Sequence, residues 1–160
     1  MFLTGCSGKN NSKPVRLNLR SISFTADVTY YNENYSAECI IDAYGGFVAM
    51  LTKPDSLSGL TFEFTDTCKL KFNGIEIDNA ERFLPQNSSF SLVNDIINSS
   101  EQLPVVKDGK NYVIHGEING QKYSFVIAPS GLPISLSMTS YGLNADFKNV
   151  SIINKKAEEN

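Results

Sequence analysis

Apolar and polar residues alternate with a period of two along most of this chain, and that pattern decides what it can fold into. Successive side chains of a β-strand point to opposite faces, so sustained alternation describes strands with one face buried and the other in water. Antiparallel sheets tolerate such half-burial, whereas parallel sheets are covered on both faces. Ile22, Phe24, Ala26, Val28 and Tyr30 share one parity, and Ser23, Thr25, Asp27 and Thr29 share the other. Leu17 and Leu19 precede them on the opposite parity, which predicts a bulge or bend near Ser21 within one long strand. A second strand carries Tyr35, Ala37, Cys39, Ile41 and Ala43 after a polar turn at Asn32-Glu33-Asn34. Phe47 to Leu51 is apolar on both parities, as expected of a central strand entered through Gly45-Gly46 and broken at Lys53-Pro54. Leu60, Phe62 and Phe64 alternate next, then Cys68, Leu70 and Phe72, with Asn73-Gly74 as a turn or a bulge before Ile75 and Ile77.

The sharpest local expectation lies at Asn119-Gly120, the strongest two-residue hairpin signal, between Tyr112–Ile118 and Gln121–Ile127. Pairing Ile118 with Gln121 sets Gly116 opposite Tyr123, Ile114 opposite Phe125 and Tyr112 opposite Ile127. The same register puts Glu117 against Lys122 and Val113 against Val126 on the other face. A slip of one residue would invert both faces, so the register is well specified. Two further strands follow Pro129-Ser130-Gly131, one with Ile134, Leu136 and Met138, the other with Leu143, Ala145 and Phe147, around a Tyr141-Gly142 turn.

One helix interrupts the strands. Asn87-Ser88-Ser89 offers N-caps, and Phe90, Leu92, Val93, Ile96 and Ile97 then recur at helical spacing. So short a helix is marginal alone in water and must dock its stripe on the sheet. About ten strands and a helical lid near residues 88–99 give an α+β, mostly β fold: a single strongly curved antiparallel sheet, or half-barrel, with the helix over its concave face.

Composition narrows the function. The chain has 160 residues, 41% hydrophobic and 19% charged, enough for one domain with a sizeable core. A net charge of -3 without a basic run argues against nucleic acid as a partner. One His, three Cys and no Trp leave little material for catalysis, and no nucleophile elbow, zincin, P-loop or dinucleotide motif occurs. His115 lies on the parity of Val113 and Glu117, a solvated strand residue with no nucleophile beside it. Glu76 and Asp78 read as surface carboxylates. No catalytic residue, metal site or cofactor is expected. Cys39 and Cys68 fall on apolar parities and read as small buried hydrophobes, with a bridge between them left open.

Leu3-Thr4-Gly5-Cys6 resembles the bacterial lipobox, in which a diacylglycerol is attached to the Cys after cleavage before it. On that resemblance, residues 1–5 are the remnant of a lipoprotein signal peptide, and Cys6 heads a flexible tether over 6–14. The domain then spans 15–153 and a polar tail 154–160. Over residues 15–153 the chain further resembles the LolA/LolB-like bacterial envelope lipoproteins and carriers, in their Gram-positive branch. The pieces that carry this are the lipobox, the long first hairpin, Pro54-Asp55-Ser56-Leu57-Ser58-Gly59-Leu60-Thr61-Phe62, the mid-chain helix, and Pro129-Ser130-Gly131-Leu132-Pro133-Ile134 followed by Tyr141-Gly142 and Asp146-Phe147-Lys148-Asn149-Val150.

The resemblance implies a lipid-anchored extracytoplasmic protein whose half-barrel encloses an apolar cavity for a lipid or acyl chain. The candidate lining is Phe62, Phe64, Leu70, Phe72, Tyr123, Phe125, Leu136 and Met138, with Tyr112, Ile114 and Ile134 on the same inward set. The candidate lid is Leu92, Val93, Ile96 and Ile97. The alternative is a non-enzymatic interaction module with a filled core that docks an envelope protein through its sheet.

Overall fold

The computed structural model describes residues 15–85 and 87–153. Eleven strands form one antiparallel sheet: β1 Ile22–Tyr30, β2 Glu33–Ile41, β3 Phe47–Lys53, β4 Thr61–Phe64, β5 Cys68–Phe72, β6 Ile75–Ile77, β7 Val105–Asp108, β8 Asn111–Ile118, β9 Gln121–Ile127, β10 Pro133–Met138 and β11 Leu143–Ile152. Their spatial order is β6-β5-β4-β3-β2-β1-β11-β10-β9-β8-β7, so every consecutive pair of strands is adjacent except β6 and β7, which lie at opposite edges, and the first and last strands pair at the centre. A helix, α1, spans Ser89–Ser100. It touches β4 near one edge and β8 and β9 near the other. A flat sheet could not meet one short helix from both sides, so the sheet curls around α1 as an open half-barrel.

Alternation places the core as expected. Ile22, Phe24, Ala26 and Val28 are buried, as are Ala37, Cys39 and Ile41, then Phe47, Ala49 and Leu51. The 112–127 hairpin has the anticipated register throughout, from Tyr112 opposite Ile127 to Ile118 opposite Gln121. Asn119 and Gly120 take φ of 52° and 73°, the two left-handed residues that match the twist of the flanking strands. Asn73-Gly74 resolves as a turn of the same kind, with φ of 49° and 80°.

Five expectations need correction, each for a local reason. Leu17 and Leu19 are not the start of a strand: Ser21 is left-handed at φ 51°, which redirects the chain, and 15–20 runs past the β9–β10 turn with Asn18 N–H donating to Gly131 C=O at 2.9 Å. Leu19 is buried all the same. The first hairpin turns at Tyr31-Asn32, not Asn32-Glu33-Asn34, with φ of 46° and 68° and Tyr30 paired to Glu33. A tyrosine in that strained region is held because its ring packs edge-on against Tyr30 at 4.7 Å and Tyr141 at 6.2 Å. Ala43 lies outside β2, since Asp42 Oδ1 accepts the Tyr44 and Gly46 N–H groups at 2.7 and 2.9 Å and turns the chain early. Ile134 leaves the inward set because the β9–β10 register shifts between Pro133 and Ser135. The eleventh strand, β7, is only Val-Val-Lys-Asp, too short for its period to be legible beside Pro104.

Gly120→Val places a β-branched residue at a left-handed position and is expected to cost about 1–3 kcal/mol of stability. A urea-unfolding free energy changed by less than about 0.5 kcal/mol would show that the turn does not hold the register.

Candidate functional site

The concave face and the helix above it form the interior of the half-barrel. Phe90, Leu92, Val93, Ile96 and Ile97 are all at most 2% exposed, so the whole apolar stripe of α1 is against the sheet. The Phe90 ring stacks on Phe62 at 5.4 Å, and Phe62, Phe64 and Phe47 continue the stack across β4 and β3. Each such side chain removed from water contributes about 1.5–3 kcal/mol, so the docked helix is stabilised far beyond its own propensity.

Of the eight candidate lining residues, Phe62, Phe64, Tyr123, Phe125, Leu136 and Met138 join the four candidate lid residues in one buried cluster, and Leu70 packs against its rim. Tyr112 is half-buried at that rim and Ile114 fully buried within the cluster. Phe72, at the end of β5, is half-buried and lies outside it. In this conformation side chains occupy the space beneath the helix. Among the described residues no buried side-chain polar atom lacks a hydrogen-bond partner, so the interior presents hydrocarbon, rings and bonded hydroxyls.

The helix is fastened by polar ties near both ends. At its last turn the Arg20 guanidinium donates to Asn98 Oδ1 at 3.3 Å and to Glu101 Oε2 at 2.7 Å. The helix has no basic residue of its own there, so Arg20 supplies the positive charge its C-terminal carbonyls favour. The Tyr123 hydroxyl lies 2.9 Å from Ser99 Oγ and 3.1 Å from Ser100 Oγ. Gly116 makes room for this ring on β8, because a β-carbon there would overlap the Tyr123 phenol. At the helix entry, Asn87 accepts the Tyr30 hydroxyl on its carbonyl at 2.6 Å and the Asn119 amide on Oδ1 at 2.7 Å, and donates to the Tyr141 hydroxyl at 3.1 Å. Ser88 is the N-cap, yet its hydroxyl meets Ser91 Oγ at 2.7 Å and no backbone N–H. Sequence reasoning missed Arg20, Asn87 and the Tyr123 hydroxyl as ties. Their partners lie 23 to 81 residues away in the chain, and no local pattern marks them.

The remaining candidates are scattered. Cys6 lies outside the described residues. Cys39 and Cys68 are free, 2% and 5% exposed, and burial pushes their thiols up to about 12 and about 11; the nearby Glu81 carboxylate adds to the rise at Cys68. His115 is exposed on the outer face with Nδ1 3.1 Å from Ser124 Oγ, beside Glu117, Lys122, Ser137 and Thr139 in an open groove of about 590 Å³. Glu76 and Asp78 are exposed, and both contact Lys69, at 2.6 and 3.2 Å. A second outer groove of about 440 Å³ crosses β1 to β4 and is lined by Ile40, Val48 and Met50 with Glu38 and Thr61 at its sides. Among the described residues no cluster of three or more His, Cys, Asp or Glu could hold a metal, and no helix is long and apolar enough to cross a membrane.

No protein-family model matches the chain, and no curated protein matches it. Among solved structures, it is similar to a LolA superfamily protein from Nitrosomonas europaea. That alignment has 11% identity, spans 88% of this chain and 90% of the other, and has a TM-score of 0.43. The open antiparallel half-barrel stands on its own strand order.

Thiol chemistry follows from the burial. In the folded chain Cys39 and Cys68 are expected to alkylate at least about a hundredfold more slowly than in urea, since raising a thiol by two to three units removes that much thiolate. Residue-resolved mass spectrometry reads each site, and fast labelling of either in the native chain would show that its strand opens freely.

Proposed function

We propose that the chain is a non-enzymatic extracytoplasmic lipoprotein, anchored to the membrane through a lipid on Cys6, that takes up an apolar chain such as a fatty acyl group between α1 and the concave face. The observation that supports this reading is the construction of the helix layer. An unbroken apolar face is laid on an unbroken apolar sheet, and side-chain ties fasten it at its ends. No β-ladder holds it down. Displacing the helix uncovers aromatic and aliphatic surface, and an acyl chain entering there replaces one apolar contact by another.

Uptake on this reading is a population shift. The closed form is dominant, and the ligand binds the open form, so weakening a tie lowers the cost of opening and raises apparent affinity. Tyr123→Phe removes the hydroxyl that meets Ser99 and Ser100, a net loss of about 0.5–1.5 kcal/mol. It is expected to tighten binding of a fluorescent fatty acid by roughly two- to tenfold relative to the unaltered chain, with one ligand seen by native mass spectrometry. Absence of any bound fatty acid in both proteins would sink the cavity reading. Lipidation is tested separately by metabolic labelling with a fatty-acid analogue in cells, where the label is expected to vanish in Cys6→Ala.

A second reading, docking of an envelope protein on the sheet, is favoured by the filled interior together with the apolar groove at Ile40, Val48 and Met50 on the outer face. It gains if no lipid binds and a specific partner is lost on Met50→Lys.

A further inference from the structure

An open sheet has two edges, and the two edges of this one are built differently. At one end, β7 carries Lys107 on the concave-side parity, opposite Tyr112, with Asp108 and Lys110 following. An inward-pointing lysine on an edge strand guards against pairing, because a strand added there would bury the charge. At the other end, β6 carries Ile75 and Ile77 on the concave side and only Glu76 on the outer side. Ile75 is 65% exposed and Ile77 40%, and residues 73–79 are exposed throughout. This edge has no guard on the face where a guard would count.

Hydrogen-bond geometry says what the edge offers. The β5–β6 hairpin closes on Asn73-Gly74, so Phe72 and Ile75 form a hydrogen-bonded pair, and so do Leu70 and Ile77. Glu76, opposite Lys71, sits between them, and its N–H and C=O point away from β5 to the open side. Among the described residues, no turn, loop or cap hydrogen bond reaches Ile75, Glu76 or Ile77 from elsewhere.

We propose that β6 is a homodimer edge, which joins a second copy of this chain by antiparallel pairing about a two-fold axis at Glu76. Face matching allows registers in which concave-side residues oppose one another, and the symmetric one sets Glu76 against Glu76 of the second copy and Ile75 against Ile77. Glu76 then exchanges both of its free backbone groups in two hydrogen bonds. Ile75 and Ile77 fall at the non-hydrogen-bonded positions, where Cα atoms approach to about 4.5 Å and side chains pack closely. The two exposed isoleucines of one copy cover those of the other. The Glu76 side chains meet on the outer face already neutralised, since Lys69 holds each at 2.6 Å and Lys71 lies within 4.0 Å. Pairing β6 with β7 of another copy, the head-to-tail contact that would build a ring or a filament, would instead set Lys107 against an isoleucine, which disfavours it. The edge is separate from the covered interior, so this pairing stands whether or not a lipid binds there.

Sedimentation equilibrium on the full chain, from about 1 µM to about 1 mM, reads the association. A reversible dimer is expected that weakens by about tenfold or more in Ile75→Lys and is unchanged in Val106→Lys on the opposite edge. Should Ile75→Lys fail to fold by circular dichroism, Glu76→Pro removes the edge-facing N–H without touching the β5 ladder and is expected to abolish the dimer. In the unaltered chain, exchange of the Glu76 amide is expected to slow as concentration rises while that of the edge-facing Lys107 amide does not. A chain that is monomeric over the whole range, or a dimer that survives both β6 variants, would overturn the proposal.

Discussion

The burial of one helical stripe on a curved sheet is the interaction on which the rest of this structure depends. A sheet whose concave face is continuous apolar surface cannot persist in water, and a three-turn helix cannot persist alone. Each is the other's solvent shield. The strand order follows from the same need. With β1 and β11 paired at the centre and β6 and β7 at the rims, both halves of the sheet reach the helix, β4 from one side and β8 and β9 from the other.

Around that contact runs a polar frame with a different function. Arg20, Tyr123 and Asn87 fix where the helix lies, and each draws on elements distant in sequence. Such ties add little to stability, because exchange of water for a protein partner is nearly balanced. What they add is position. With the helix held by apolar contact in the middle and by side-chain bonds at its ends, a ligand that displaced it would have to break those bonds and also replace the apolar contact, so that the sheet is never left bare.

Much of the fold was legible because burial on one face forces period two into the sequence. The hairpin from Tyr112 to Ile127 is readable to the residue, since Asn119-Gly120 sets the turn and Glu117 with Lys122 confirms the face. The helix is readable from Phe90 to Ile97 for the matching reason at period 3.6. What escaped has physical causes too. The Tyr31-Asn32 turn depends on rings of Tyr30 and Tyr141, which no local pattern shows. Ile134 follows a bulge rather than its parity, and β7 is too short to display one. The candidate lining was legible as an inward set. Whether side chains fill that space was not, because a packed face and a hollow one share the same alternation.

Amide hydrogen exchange of α1 in the full chain, with and without a long-chain fatty acid, tests most directly whether the helix is a separable lid. Amides of residues 93–100 should exchange through an opening well below that of the central strands β1, β2 and β11, and fatty acid should change their rate while leaving those strands alone. Helix and central strands exchanging at one common free energy, untouched by fatty acid, would mean that α1 is a fixed part of the core and that the interior takes no ligand.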